Sequence, residues 1–174
     1  MSKGNSGLFS GTYSSTNGKR ITKQDTIYFA TEALRDHIEN PQPSSSGSSG
    51  IKGAHNKDNF LNEMSRIGAK KISTTQNSQL DGVEQIKYKM PQKDKHGNPT
   101  GNFKAKEFSK TVYDPLKIST NEYLTWGLQA ANNTVKQSAF GKLNREWSGT
   151  DNQGVKWHGY CDSNGNITSF YPED

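Results

Sequence analysis

The order in which the hydrophobic spacing changes along the chain limits its fold most strongly. Apolar residues recur at helical spacing in two N-terminal segments, and most of the segments that follow alternate as strands do. Helical spacing returns once, after the capping box at residues 119–122. Helical segments followed by strands, without a regular strand–helix alternation, favour an α+β fold.

The first helix is predicted over residues 25–40. Ile27, Leu34 and Ile38 recur at helical spacing, Asp25 can cap the start, and Pro41 follows the end. His37 comes three residues after Leu34, which places it near the apolar face of this helix.

Residues 41–50 are rich in Pro, Ser and Gly, and we predict a mobile loop. The loop leads to His55, directly before Asn56, a residue type that caps helices. The second helix would bury apolar side chains at helical spacing, namely Phe60, Leu61, Met64 and Ile67. His55 then stands at a helix N-terminus, where N–H groups favour an anion such as a phosphate.

The second half of the chain is predicted to hold strands and one helix. Alternation predicts strands over 83–90 and 103–113, and the latter places Lys110 on one face with Phe108 and Val112. A closing hairpin is predicted from residues 155–161 and 167–171, with Ser169 and Tyr171 on one face.

We expect one folded domain in this chain of 174 residues. Residues 1–24 are polar, with little periodicity, and are predicted to be a flexible arm. Residues 25–174 form the domain, divided into an N-terminal lobe at 25–95 and a C-terminal lobe at 96–174.

Composition restricts the class of partner more than it restricts the chemistry. A net charge of +5 favours a polyanion such as RNA or DNA. The single cysteine, Cys161, excludes an internal disulfide, and no cysteine pair has the spacing of a zinc site. No apolar run reaches membrane-spanning length. We therefore expect no membrane segment in this fragment, no metal site and no cofactor.

Histidines and lysines could cleave RNA without a metal, because the 2′-hydroxyl of RNA is itself the nucleophile. One histidine removes the hydroxyl proton and another protonates the leaving 5′-oxygen. A lysine stabilises the negative charge that develops on the phosphoryl oxygens. His37, His55 and Lys110 lie on separate predicted elements, so spacing alone does not bring them together.

Four short motifs resemble, in order, those of EndoU ribonucleases. They are Asp36-His37-Ile38, Gly53-Ala54-His55, Ser109-Lys110-Thr111-Val112, and residues 165–172 of the closing hairpin. The segments 50–56 and 110–115 are especially similar to EndoU toxins at the C-termini of bacterial contact-dependent growth inhibition (CdiA-type) proteins. The resemblance covers the chain from about residue 30 to its end.

The resemblance implies a two-lobed EndoU-like fold with a helical N-terminal lobe, a C-terminal antiparallel sheet with a packed helix, and the active site in the cleft between them. It also implies His55 as general base, His37 as general acid and Lys110 as the phosphate clamp. Tyr171 would pack against the ribose or base, beside Ser169. Asp114 stands where uridylate-specific members carry a serine, so it becomes a candidate substrate contact or simply ends the strand before Pro115.

The resemblance further implies the substrate, the partner and the place of action. RNA, in particular the anticodon region of tRNA, would be cut to leave 2′,3′-cyclic phosphate ends. A cognate immunity protein would protect the producing cell. The toxin domain would be secreted or delivered from the cell surface, and would act in the cytoplasm of the target bacterium. Lys104 and Lys106 are among the lysines that could follow the RNA backbone.

Two other interpretations remain open from the sequence. A different nuclease could pair His55 with His158 of the closing hairpin instead of His37. Alternatively, the chain could be a basic, non-catalytic module that binds RNA or another protein, in which the histidines are structural. Alanine variants of each histidine distinguish these interpretations.

Overall fold

The structure, a computed structural model, describes residues 25–174 and the backbone of three short strands that precede them. These strands are β1 (Gly7–Leu8), β2 (Thr12–Ser14) and β3 (Arg20–Thr22). The remainder of the predicted arm at residues 1–24 lies outside the described residues.

From residue 25 onward the chain forms three helices and seven strands. They are β4 (Thr26–Ile27), α1 (Glu32–Glu39), α2 (Lys57–Ile67), β5 (Lys70–Gln76), β6 (Val83–Lys93), β7 (Pro99–Tyr113), α3 (Thr120–Gln137), β8 (Glu146–Thr150), β9 (Lys156–Cys161) and β10 (Ile167–Pro172). Neighbouring strands are antiparallel, in sheets of order β1-β4, β2-β3, β5-β6-β7 and β10-β9-β8. The predicted α+β fold is confirmed.

The chain divides into two compact units, one of Met1–Arg35 with Asn121–Glu173 and one of Asp36–Thr120 with Asp174. The predicted boundary after residue 95 differs from this division. β6 and β7 pair along their length, from Val83 opposite Tyr113 to Lys93 opposite Pro99. A boundary after residue 95 would separate two strands that share one ladder of hydrogen bonds.

In the unit Asp36–Thr120, α2 supplies apolar side chains to the core of the three-stranded sheet. Phe60 and Met64 of α2 cluster with Ile86, Tyr88 and Val112 of the strands. The ring centroids of Phe60 and Tyr88 lie 5.2 Å apart, edge to face. The helix starts as predicted, because the side chain of Asn56 accepts a hydrogen bond from the backbone N–H of Asn59.

In the other unit, α3 packs Tyr123 against the sheet of β8, β9 and β10. The ring centroids of Tyr123 and Trp157 are 5.0 Å apart, and those of Trp157 and Phe170 are 5.6 Å apart. Gly127 is buried where a Cβ would overlap the ring of Phe170. The predicted closing hairpin is confirmed as β9 and β10.

The first helix is shorter than the sequence pattern predicts. Thr26–Ile27 form β4 and pair with β1, and α1 begins only at Glu32. Thr31 caps α1, because its side-chain oxygen accepts a hydrogen bond from Leu34 N at 3.3 Å. The helix prediction for residues 25–31 is therefore wrong, because Ile27 pairs in a strand and the helix is capped only at Thr31.

The Ser/Gly segment, residues 41–50, is held by local hydrogen bonds. Ser46 and Gly50 exchange both backbone bonds, at 3.2 and 2.8 Å. The hydroxyl of Ser45 accepts from Lys52 N and donates to Gln42 O. Composition predicted a loop without order of its own, whereas the structure contains a folded turn. The mobility of this segment stays a prediction.

Candidate active site

His37, His55 and Lys110 lie in one unit, although they come from three separate elements. His37 is in the last turn of α1, His55 directly precedes the cap of α2, and Lys110 lies on β7. The ring centroids of His37 and His55 are 6.1 Å apart, with the ring planes inclined at 43°. The structure thus brings together the three residues that the sequence resemblance singled out.

The end of α1 holds His55 beside His37 through backbone hydrogen bonds. Ala54 N donates to His37 O at 3.0 Å and to Asn40 O at 2.9 Å, while His55 N donates to Ile38 O at 2.6 Å. The last carbonyls of a helix have no partner within the helix. Here the residues that lead into His55 supply those partners, so capping α1 also positions the second histidine.

Two consecutive residues with positive φ make this close approach possible. Gly53 has φ 73° and Ala54 has φ 57°. A Cβ at Gly53 would contact Asn40 O and would lie 2.7 Å from His37 O. Glycine is therefore required there for both conformation and space. Ala54 is the only non-glycine residue with positive φ among the described residues, so strain accumulates directly before His55.

β7 fixes His55 from the other side. Tyr113 N donates to His55 O at 2.8 Å, and His55 Nδ1 lies 2.7 Å from Thr111 O. A carbonyl oxygen can only accept, so in this contact Nδ1 carries the hydrogen. In neutral His55 the lone pair that takes up a proton is then on Nε2.

Lys110 places a positive charge next to both histidines. Its Nζ donates a hydrogen bond to Gly53 O at 2.8 Å. Lys110 lies directly opposite Ile86 of β6, whose side chain belongs to the hydrophobic core. Removal of the ammonium from water lowers the pKa of Lys110 to about 8. Lys110 is therefore mostly charged at neutral pH.

Both histidines are held in the neutral form. Burial lowers the pKa of His37 to about 4, with a further contribution from Lys110, while Asp36 opposes the shift. Burial also lowers the pKa of His55 well below its usual value, and the charges of Lys110 and His37 act in the same direction. His55 is 5% exposed, which explains why burial is the largest cause.

The candidate substrate-binding residues are divided between the units. Tyr171 and Ser169 lie on β10, in the unit that does not contain His37, His55 and Lys110. Tyr171 contacts His158 there, at 5.5 Å between ring centroids. Asp114 directly follows β7, and its carboxylate accepts a hydrogen bond from Leu116 N at 2.9 Å. This contact is typical of a residue that starts a turn.

His158, the alternative partner of His55, has its own hydrogen bonds. Its Nε2 lies 2.7 Å from Glu146 Oε1, and its Nδ1 lies 3.1 Å from Ser148 Oγ.

Within the part of the chain that the structure describes, no three His, Cys, Asp or Glu side chains are grouped as metal ligands. No helix among the described residues combines the length and apolar character needed to cross a membrane.

Sequence reasoning missed the acceptors that orient the site, because they are backbone carbonyls. Thr111 O binds His55 and Gly53 O binds Lys110. The one signal in the sequence is the glycine two positions before His55, where a close approach requires the absence of a side chain.

Comparison with known proteins extends over most of the chain. A family model described as bacterial EndoU nuclease matches residues 31–174. A Yersinia mollaretii protein named tRNA nuclease CdiA is 30% identical over 160 residues, which cover 88% of this chain and 5% of that protein. An Escherichia coli protein of the same name is 44% identical over 85 residues, or 47% of this chain and 3% of that protein. The chain thus spans at most 5% of the length of these relatives.

Proposed function

Because the chain belongs to the bacterial EndoU nuclease family, we propose that it is an endoribonuclease that cleaves tRNA by attack of a 2′-hydroxyl on the adjacent phosphate, without a metal. Both relatives described above are named tRNA nucleases. The resemblance of the sequence motifs adds the anticodon region as the place of cleavage. The products are a 2′,3′-cyclic phosphate and a free 5′-hydroxyl.

One observation carries the proposal. Two histidine rings lie 6.1 Å apart beside a lysine whose charge lowers the pKa of both. A general base, a general acid and a cation are the groups that RNA transesterification requires. Backbone hydrogen bonds to α1 and β7 fix His55 within this arrangement.

His55 is the general base of the proposed reaction. Its Nδ1 is engaged with Thr111 O, so the lone pair of Nε2 takes the proton from the 2′-hydroxyl. The 2′-oxygen then forms a bond to phosphorus. The lowered pKa of His55 keeps it unprotonated at neutral pH before the reaction.

His37 is the general acid and protonates the 5′-oxygen as its bond to phosphorus breaks. With a pKa of about 4, His37 is neutral in the free protein at pH 7. A bound phosphodiester brings a negative charge that offsets the charge of Lys110, and this raises the pKa of His37. Substrate binding therefore favours the protonated form of His37.

Lys110 stabilises the negative charge that builds up on the phosphoryl oxygens. Its ammonium is held at Gly53 O, within the chain turn that leads to His55. The substrate contacts are proposed as Tyr171, which packs on the ribose or base, and Ser169 as a polar contact. We propose Asp114 as a third substrate contact. Its carboxylate must then give up the hydrogen bond that it accepts from Leu116 N.

The family also supports a biological setting. We propose that the chain is the toxic part of a protein delivered from the surface of one bacterium, and that it acts in the cytoplasm of another. An immunity protein with an acidic surface would complement the net charge of +5. This partner should compete with tRNA for the His55→Ala protein; simultaneous binding of both would contradict a blocked active site.

The proposed activity is tested with purified protein on total bacterial RNA in the presence of EDTA, with mapping of the cut ends. We expect discrete tRNA fragments that end in 2′,3′-cyclic phosphate. They should disappear with the His37→Ala and His55→Ala variants and persist with His158→Ala. Loss with His158→Ala but not His37→Ala would favour the other histidine pair. Intact RNA that stays bound to the parent protein would favour the non-catalytic module.

A further inference from the structure

A row of lysines leads away from the candidate active site along β7. Phe108 and Lys110 alternate along β7 and share one face of the sheet. The register of β7 shifts between Phe103 and Glu107, so Lys104 and Lys106 are placed on this side by their contacts. Lys106 Nζ lies 4.7 Å from the centre of the Phe108 ring, as expected for neighbours on one face. We call Lys104 and Lys106 the lysine row.

The lysine row faces the Ser/Gly segment, and Lys110 faces Gly53, which follows that segment in the chain. Lys106 Nζ donates to Ser48 O at 3.3 Å, and Lys110 Nζ donates to Gly53 O at 2.8 Å. Lys104 Nζ lies 2.7 Å from the position of a Cβ on Gly47. The three ammonium groups therefore follow one stretch of backbone, and those of Lys106 and Lys110 bind neutral carbonyl oxygens, whereas a phosphate would bind them more strongly.

The lysine row ends at a groove to which Lys93 adds a further positive charge. The groove has a volume of about 500 Å³ and is lined in part by Lys104, Lys93, Arg66 and Gly47. Glu63, the acidic residue in this lining, is paired with Arg66. The volume lies within the range of about 300–1,000 Å³ that small-ligand sites occupy.

The opposite face of the same sheet has a different charge pattern. Lys89 of β6 lies directly opposite Glu107 of β7 on one side and Lys70 of β5 on the other, so acidic and basic side chains are mixed on this face. On the row face of β7, positions 104, 106, 108, 110 and 112 carry no acidic residue. Both faces of the sheet therefore carry lysines, and the row face differs in that the lysines of β7 continue to Lys110 without an acidic residue between them.

We propose that the lysine row and its groove form a second RNA-binding subsite, which holds backbone phosphates several nucleotides from the bond that is cut. This inference rests on the proposed function. Lys104 and Lys110 are six positions apart on β7, which corresponds to at most about 20 Å at about 3.3 Å per residue. A substrate contacts both places only if it extends well beyond the scissile phosphate, so the subsite favours long, structured RNA over short fragments.

The test uses a double variant and a matched control. Lys104→Gln with Lys106→Gln removes two charges from the row face, whereas Lys87→Gln with Lys89→Gln removes two charges from the opposite face of the same sheet. Each pair is made in the parent protein for cleavage of unfractionated tRNA. Each is also made in the His55→Ala protein for binding of the same tRNA at several salt concentrations.

We expect the row variant to raise KM for tRNA roughly tenfold with little change in kcat. In the His55→Ala protein, it should reduce the slope of log affinity against log salt by roughly 1.4 to 1.8, for two lost phosphate contacts in single-stranded or double-helical RNA. A purely structural role for Lys106 at Ser48 would not change that slope. The control pair should leave both quantities close to those of the parent.

Row and control variants with equal KM and equal salt slopes would overturn the subsite. If the parent cuts tRNA through His55 and the two pairs do not differ, only the subsite fails. If the parent cuts no RNA, and the row variant loses the salt-dependent binding of tRNA while the control variant keeps it, the subsite is supported and the proposed cleavage fails. The binding arm thus separates the two proposals.

Discussion

Burial is the largest cause of the lowered pKa of both candidate catalytic histidines, and Lys110 adds to it. Its charge lowers the pKa of His37 and of His55, in addition to the effect of burial. The pKa of Lys110 itself is lowered to about 8. Loss of the Lys110 proton would therefore remove the proposed phosphate clamp and also change the environment of the proposed acid and base.

The pH profile of cleavage tests this role of Lys110. We expect kcat/KM to fall above about pH 8, because Lys110 loses its charge as pH rises through its pKa. Arginine stays charged throughout this range, so Lys110→Arg should lack the alkaline decrease, whatever its absolute rate. Lys87→Arg, on the other face of the sheet, should keep the profile of the parent. An unchanged alkaline limb in Lys110→Arg would contradict this assignment.

Removal of the charge has a separate expected effect. Loss of a single donor that stabilises developing negative charge typically reduces kcat by roughly 10²–10³-fold. We expect a loss of this size for Lys110→Ala, measured as single-turnover cleavage of tRNA at pH 7. A loss below about tenfold, with the protein still folded by circular dichroism, would mean that Lys110 is not the clamp.

The identity of these side chains came from the sequence, but their orientation did not. Four ordered motifs singled out His37, His55 and Lys110, and the structure groups them in one unit. The contacts that orient them end on the carbonyls of Gly53 and Thr111. Any residue has a carbonyl, so a sequence pattern does not reveal which one is used.

The turn at Gly53 and Ala54 connects α1 to the second histidine. It places N–H groups on the last carbonyls of α1, which a helix terminus cannot satisfy within the helix. Because this single turn both caps α1 and carries His55, its geometry should affect stability and activity together.

Two glycine-to-alanine changes separate conformation from space at this turn. Gly53 and Gly68 have similar positive φ, 73° and 76°, but only at Gly53 would a Cβ contact its neighbours. Each change should cost roughly 1 kcal/mol of stability for the left-handed conformation. Gly53→Ala should destabilise further and reduce cleavage, while Gly68→Ala should leave cleavage intact. Urea unfolding and tRNA cleavage check this; equal effects of both changes would contradict it.

Elements that depend on distant partners were the ones that the sequence pattern did not reveal. β5 is an edge strand whose seven residues are all exposed, so it lacks the alternation that marks a half-buried strand. The start of α1 was misplaced because Ile27 fits helical spacing but pairs with β1. By contrast, α2 and the closing hairpin were predicted well, since their caps and turns are local.

The neutral histidines should make the whole protein sensitive to acid. Below about pH 6.5 an unfolded chain protonates His37, whereas the folded protein does so only near its pKa of about 4. The contribution is complete above pH 6.5 and is lost as pH falls toward 4. The free energy of unfolding should decrease by up to about 1.4 kcal/mol per pH unit for each such histidine.

Urea midpoints at pH 7 and pH 5 measure this sensitivity. His37→Asn should weaken the pH dependence, because the group whose pKa is lowered is gone. His96→Asn provides the control, since His96 is exposed between β6 and β7. If His37→Asn and His96→Asn follow the same pH dependence as the parent, His37 is not held neutral by the fold.

The most direct measurement of whether His37 and His55 act as one catalytic unit is a double-variant cycle on single-turnover tRNA cleavage. Each alanine variant alone should lose roughly 10²–10⁴-fold in rate, the usual contribution of a general acid or base. We expect the double variant to lose little more than the worse single variant, because residues that act as a unit are not additive. Losses that multiply, or a His37→Ala protein that cuts as fast as the parent, would contradict the shared site.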